Sequence, residues 1–216
     1  MRKLRIPENL TTMAYRAIKN YILEGNPDEN TRLTEESLSK QLGISKSPIR
    51  EALTRLESER LIQIEPRRGA FLRKFSLQEI GDLYEVREAL EVYAVGRAKL
   101  TPELIAALRQ SVERSRQHLE VNDKPRYIEE DVNFHAALAE ATGNALLEEI
   151  LANIQHQVWL FRRKTYDLSR SKAIVSHAAI VEALAQADQD KAQQLMRQHI
   201  SEVRQKLLSH LQAATR

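Results

Sequence analysis

Apolar positions recur along this chain with a period near that of an α-helix, broken by one stretch where the period falls to two. In "LTTMAYRAIKNYILE" (10–24), Ala14, Ile18, Tyr21 and Ile22 fall on one helical face, and "GNPDEN" ends that helix with Gly25 and Pro27. In "TEESLSKQLG", Thr34 is placed to cap the helix, and Glu35 and Glu36 suit its positive end. Leu38 and Leu42 turn inward, Gly43 is the stop, and Ile44 is expected to be buried in the turn. A third helix is expected in "SKSPIREALTRLESERLI", capped by Ser45 or Ser47, with Pro48 in the first turn, where a missing N–H does no harm. Its stripe is Ile49, Ala52, Leu53 and Leu56. Then "LIQIEPRRGAFLRKF" alternates on either side of "PRRG", which predicts a hairpin with Arg67 and Arg68 at its tip and Gly69 for the turn. Helix, tight turn, helix and hairpin together make a winged helix-turn-helix, placed at 1–75.

From residue 76 the helical period returns and stays. Six helices are expected, at about 77–99, 102–121, 124–142, 144–165, 170–187 and 189–212, with Ser76, Thr101 and Asp188 at cap positions. "TGN" and "QADQD" are breaks. Six amphipathic helices must bury their stripes on one another, so the fold class is mainly α: a winged helix-turn-helix followed by an all-α six-helix bundle at 76–216.

Composition narrows the function classes. With 42% hydrophobic and 29% charged residues the chain reads as soluble and globular, and no apolar run approaches the roughly 20 residues of a membrane span. The opening "MRKLRIPENL" has basic residues but no apolar core after them, so no secretory signal is expected. The absence of cysteine excludes disulfides, thiolate zinc fingers and a cysteine nucleophile, and fits a cytoplasmic protein. The net charge of +3 is unevenly spread: 15 Lys/Arg against 10 Asp/Glu in 1–75, and 18 against 20 in 76–216. A basic front end points to a polyanion partner for that part only. Lys46, Ser47 and Arg50, on the exposed side of the second helix of the motif, are the candidate readers of a major groove.

The bundle carries polar groups where apolar ones are expected. Asp131 and His135 fall inside the arc of Ile128, Val132, Phe134, Leu138 and Ala139; His177 lies among Ile174, Ile180, Val181 and Leu184; His199 lies among Leu195, Met196, Ile200 and Val203. His118, His156 and His210 do not face the core in this way. An unpartnered buried carboxylate costs several kcal/mol, roughly, so it needs a partner, a proton or a metal. Asp131 and His135 are one turn apart, as chelation requires, and three imidazoles with one carboxylate suit a divalent transition metal. Zinc is the first choice, with nickel, manganese and iron also compatible; an unmetallated polar network is the alternative. Arg87 shares the arc of Ile80, Leu83, Tyr84 and Ala94, so it either pairs with Glu91 one turn on or faces an anion.

Two stretches of residues carry a family resemblance. "RLTEESLSKQLGISKSPIREALTRLESERLIQIEPRRGAFL" resembles the DNA-binding domain of GntR-family transcriptional regulators, with "SKSPIREAL" and the "PRRGA" wing as its specific parts. That resemblance implies DNA contacts at Ser45, Lys46, Ser47, Arg50 and Gly69. Many relatives have Arg at the position of Lys46, and Lys cannot fork onto guanine. "VREALEVYAVGRA", "DVNFHAALAEATGN", "SHAAIVEALAQAD" and "LMRQHI" resemble the ligand-sensing domain of the FadR subfamily, and six helices are similar to its VanR-type branch. The resemblance implies a divalent metal on Asp131, His135, His177 and His199 beneath a small organic acid, with Arg87 lining the pocket. Ser176 stands where many relatives have Glu.

The expected function is therefore that of a homodimeric DNA-binding transcriptional regulator, most often a repressor, on a pseudopalindromic double-stranded operator. A small carboxylate effector at the metal would control it. Two other readings compete. One is a metal-dependent, hydrolase-like enzyme using the Asp/His cluster, although no general base is evident beside it. The other is a purely structural metal with control by a protein partner.

Overall fold

In the computed structural model, residues 9–23, 27–28, 30–165, 168 and 170–214 are described; Gly25 and the basic residues within 1–8 lie outside them. Contacts divide the chain into two units, Met1–Lys74 and Phe75–Arg216. The first holds α1 (Leu10–Leu23), α2 (Glu35–Leu42), α3 (Lys46–Ser58), β1 (Ile62–Glu65) and β2 (Gly69–Leu72). Ala14, Ile18 and Ile22 of α1 are buried, as are Ile49, Ala52, Leu53 and Leu56 of α3, and these two helices pack on each other. Thr34 accepts from the Ser37 amide at 3.1 Å, and Gly43 closes α2 in the left-handed region at φ 67°.

Four details differ from the sequence expectation. Tyr21 is 44% exposed, and Tyr15 takes the inner position instead. Both tyrosines flank the Ala14–Ile18–Ile22 stripe equally, but the Tyr15 hydroxyl donates to the Glu59 carboxylate at 2.7 Å. Leu42, the last residue of α2, is exposed, and Ile44 is half-buried rather than buried. α3 stops at Ser58, because Arg60 adopts φ 59° and Leu61 and Ile62 go into the base of the hairpin.

The hairpin is antiparallel, with Ile62 opposite Leu72 and Glu65 opposite Gly69, so residues 66–68 form its tip. Leu33 and Ala70 exchange both backbone hydrogen bonds at 2.8 Å, which ties β2 to the segment before α2. Gly69 is demanded from inside the unit. Its φ is 103°, and a Cβ there would lie 3.0 Å from the Leu33 carbonyl oxygen.

Among the described residues the second unit holds six helices: α4 (Leu77–Arg97), α5 (Pro102–Glu120), α6 (Lys124–Glu140), α7 (Ala145–Thr165), α8 (Arg170–Ala185) and α9 (Gln189–Ala214). Ser76 and Glu79 form a reciprocal capping box on α4, Thr101 caps α5, and Asp188 accepts from the Lys191 amide at 3.0 Å to cap α9. Their apolar stripes meet in one core that includes Tyr84, Leu108, Tyr127, Phe134, Ile180, Met196 and Ile200. α4 packs on α6, α7 and α9, and α8 packs on α5 and α9. α4, α6, α8 and α9 carry the site residues into this core.

Candidate functional site

At the start of α3, the side chains of Ser45, Lys46, Ser47 and Arg50 are all exposed. Ser45 occupies the N-cap position but makes no side-chain capping bond. Arg50 is fixed from α2: its Nε donates to Glu35 Oε1 and its Nη2 to Glu35 Oε2, both at 2.7 Å. The hydrogen bond from Arg50 holds the Glu35 carboxyl below its usual value. At the wing tip Arg67 is exposed with φ 64°, while Arg68 pairs with Glu65 and lies 5.5 Å over the Phe71 ring.

Within the bundle, the three expected histidines converge. Nitrogens of His135 on α6, His177 on α8 and His199 on α9 lie within 4.8 Å of one another, and all three residues are buried. His177 Nε2 and His199 Nε2 are 3.2 Å apart. Two imidazoles bound at about 2.0–2.1 Å to one ion have their nitrogens roughly 3.0–3.4 Å apart, so this pair already has the bite of a chelate. Phe134 stacks flat on His177 at 4.0 Å and holds its plane. Asp131, 1% exposed, lies beside His135, its Oδ2 3.9 Å from His135 Nε2, and is not among the three residues whose ligand atoms converge.

The electrostatics suit a cation. Burial, then the neighbouring His177 and His135 and the charge of Arg87, push His199 well below its ordinary pKa, so its imidazole is neutral with a lone pair to offer. His135 Nδ1 sits against Glu91 Oε2, a contact that favours the tautomer protonated on Nδ1 and leaves Nε2 as the donor to a metal. These residues fit a divalent transition metal: a buried set of three imidazoles, a carboxylate beside His135 and an outer carboxylate behind the same ring.

Arg87 Nε donates to Glu91 Oε1 at 2.6 Å, with both side chains almost fully buried. Glu91 therefore serves two neighbours, Arg87 and His135. Gln155 of α7 adds a third contact, its Nε2 donating to Glu91 Oε1 at 2.9 Å. Sequence reading missed Glu91's contact with His135 and missed Gln155 altogether. The signal was available for Gln155: it lies one turn after Leu151 on a buried stripe, and a helical-wheel test confined to histidines passes over it. A surface cleft between α8 and α9 reaches His199, with Lys172, Ser176, Glu202 and Lys206 among its lining. Ser176 donates to the Lys172 carbonyl at 3.0 Å, and Lys172 pairs with Glu202 at 2.7 Å.

Residues 10–72 match the family described as "Bacterial regulatory proteins, gntR family", and residues 82–202 match "FCD domain". A winged helix-turn-helix joined to this helical domain defines the class as transcription regulators rather than enzymes. The chain belongs to the GntR family. It is similar to the HTH-type transcriptional repressor RspR of Escherichia coli K12, at 28% identity over 193 residues, 88% of this chain and 85% of the relative. It is also similar to the gluconate operon transcriptional repressor of Bacillus licheniformis, at 27% identity over 86% of this chain and 80% of the relative. In fold it resembles the solved structure of E. coli McbR/YncC, with a TM-score of 0.81 and 22% identity over 94% of this chain and 99% of that one.

Proposed function

We propose that this GntR-family regulator is a repressor that binds a pseudopalindromic operator as a homodimer and is governed by a small carboxylate at a divalent metal. The observation that carries the reading is the buried convergence of His135, His177 and His199 from three helices of the FCD domain. The hydrolase reading is set aside, since the family and the relatives are transcription regulators.

His135, His177 and His199 would hold the ion, with Asp131 completing the set. When bound, the metal would supply positive charge and open coordination positions beside the cleft that reaches His199. The remaining chemistry belongs to the chain. Glu91 orients His135, and Phe134 holds the plane of His177. Arg87 sets a second positive charge within electrostatic reach of His199, which suits an anion. Lys206, and Lys172 in its pair with Glu202, flank the cleft that reaches His199, the route an acid from solvent would take. On the operator, Ser45, Lys46, Ser47 and Arg50 face the major groove, Arg67 and Arg68 meet phosphate or the minor groove, and Gly69 brings the wing backbone close.

Elemental analysis of metal-replete protein tests the centre, with a His177→Ala variant beside it. About one divalent ion per chain is expected in wild type and far less in the variant. Equal metal in both would remove the centre. A panel of small carboxylates, each titrated into the protein bound to a duplex selected by it, then tests control: an acid that releases DNA from the loaded wild type should have no effect on the variant.

A further inference from the structure

The geometry points to Glu35 as a positioning residue for sequence reading: it grips one edge of the Arg50 guanidinium and leaves the other edge for a guanine. This rests on the reading of Arg50 as a base reader. A guanidinium has five N–H donors, arranged so that two different edges each present a parallel pair. Glu35 takes the Nε and Nη2 edge with both its oxygens at 2.7 Å. The end edge, formed by Nη1 and the second hydrogen of Nη2, keeps the spacing that guanine O6 and N7 accept in the major groove. The two residues come from the two helices of the motif, fifteen positions apart, so the grip also fixes how far Arg50 extends from α3.

An exposed ion pair is usually worth little to stability. Here the pair is a two-bond fork, and its work lies elsewhere. An arginine that is 68% exposed would otherwise sample many rotamers and lose that freedom only on binding. Held by Glu35, it meets the base already aimed. The carboxylate also carries negative charge near the DNA face, balanced by Arg50 and by Lys46. Its removal should therefore act with opposite signs: weaker choice of base, and unchanged or stronger adhesion to any duplex.

The test uses the full chain and a duplex enriched by the wild-type protein from a random library. Every single-base variant of that duplex is titrated with wild type, R50A, E35Q, E36Q and the double variant E35Q/R50A. R50A should lose preference at one base pair by about five- to a hundredfold. E35Q should lose roughly three- to tenfold at that same pair, while binding a scrambled duplex no less tightly than wild type. E36Q removes the same charge from the same helical turn without touching the fork, and should keep the preference. The double variant should lose no more than R50A alone. Wild-type preference retained by E35Q, or equal losses in E35Q and E36Q, would overturn the assignment. If R50A itself keeps every preference, Arg50 reads no base and the positioning role falls with it.

Discussion

Glu91 is a carboxylate with three polar neighbours and almost no access to water. Removing one member of such a buried pair strands the other charge, a loss of about 3–5 kcal/mol, whereas replacing both with apolar groups of similar size costs far less. Glu91→Gln should therefore lower stability by roughly that amount, and the double variant Glu91→Leu with Arg87→Met should recover most of it. Urea midpoints of the metal-free proteins measure this. A double variant as unstable as the single one would show that packing, not charge, decides the site. The same Glu91→Gln change loosens the ring of His135 and should weaken metal binding about ten- to a hundredfold. How much of the site was legible depended on the residue type. Asp131, His135, His177 and His199 stood out because charge or imidazole contradicts an apolar arc. Gln155 is neutral and common, and its role exists only through Glu91 on another helix, which no single-helix pattern shows.

The elements were legible where period and punctuation agreed. All six helices of the bundle lie within two residues of their expected ends, because Ser76, Thr101, Asp188 and the "TGN" break mark them chemically. The end of α3 was not marked. "SERLI" continues the helical period, but the chain turns at Arg60 and Ile62 joins a strand by pairing with Leu72. Tyr15 and Tyr21 could not be separated by period alone, since a partner 44 residues away, Glu59, chose between them. At this scale the wing carries a test. Gly69→Ala forces an L-residue to φ 103° and a Cβ against the Leu33 carbonyl, so it should destabilise the winged unit by about 1–3 kcal/mol. Amide exchange should quicken at Leu33 and Ala70, whose mutual hydrogen bonds fasten the hairpin. Unchanged exchange there would mean that the wing accommodates the methyl group by shifting as a piece.

For the whole molecule, the proposed DNA readers and the histidine cluster lie in different units, so on the proposed function a signal at the imidazoles would reach DNA only through the chain's geometry. On the proposed function the protein is a homodimer and should sediment at twice the 24.8 kDa chain mass. Five base pairs inserted at the centre of the selected duplex, about half a helical turn, should cost at least tenfold in affinity, because the two half-sites then face different sides of the DNA. Gel-shift titrations decide it; indifference to the insertion would mean that each head binds alone. The sequence order of the parts has a further consequence. The imidazoles come from α6, α8 and α9, while the head is finished before α4 begins. Domains fold in the order they leave the ribosome, so during each round of synthesis the reader exists before anything that can restrain it. A nonsense codon between α4 and α9 would not simply silence the gene product. On the proposed function such a fragment keeps the winged unit and lacks the histidine cluster, so whatever DNA binding it retains should no longer answer to metal or acid.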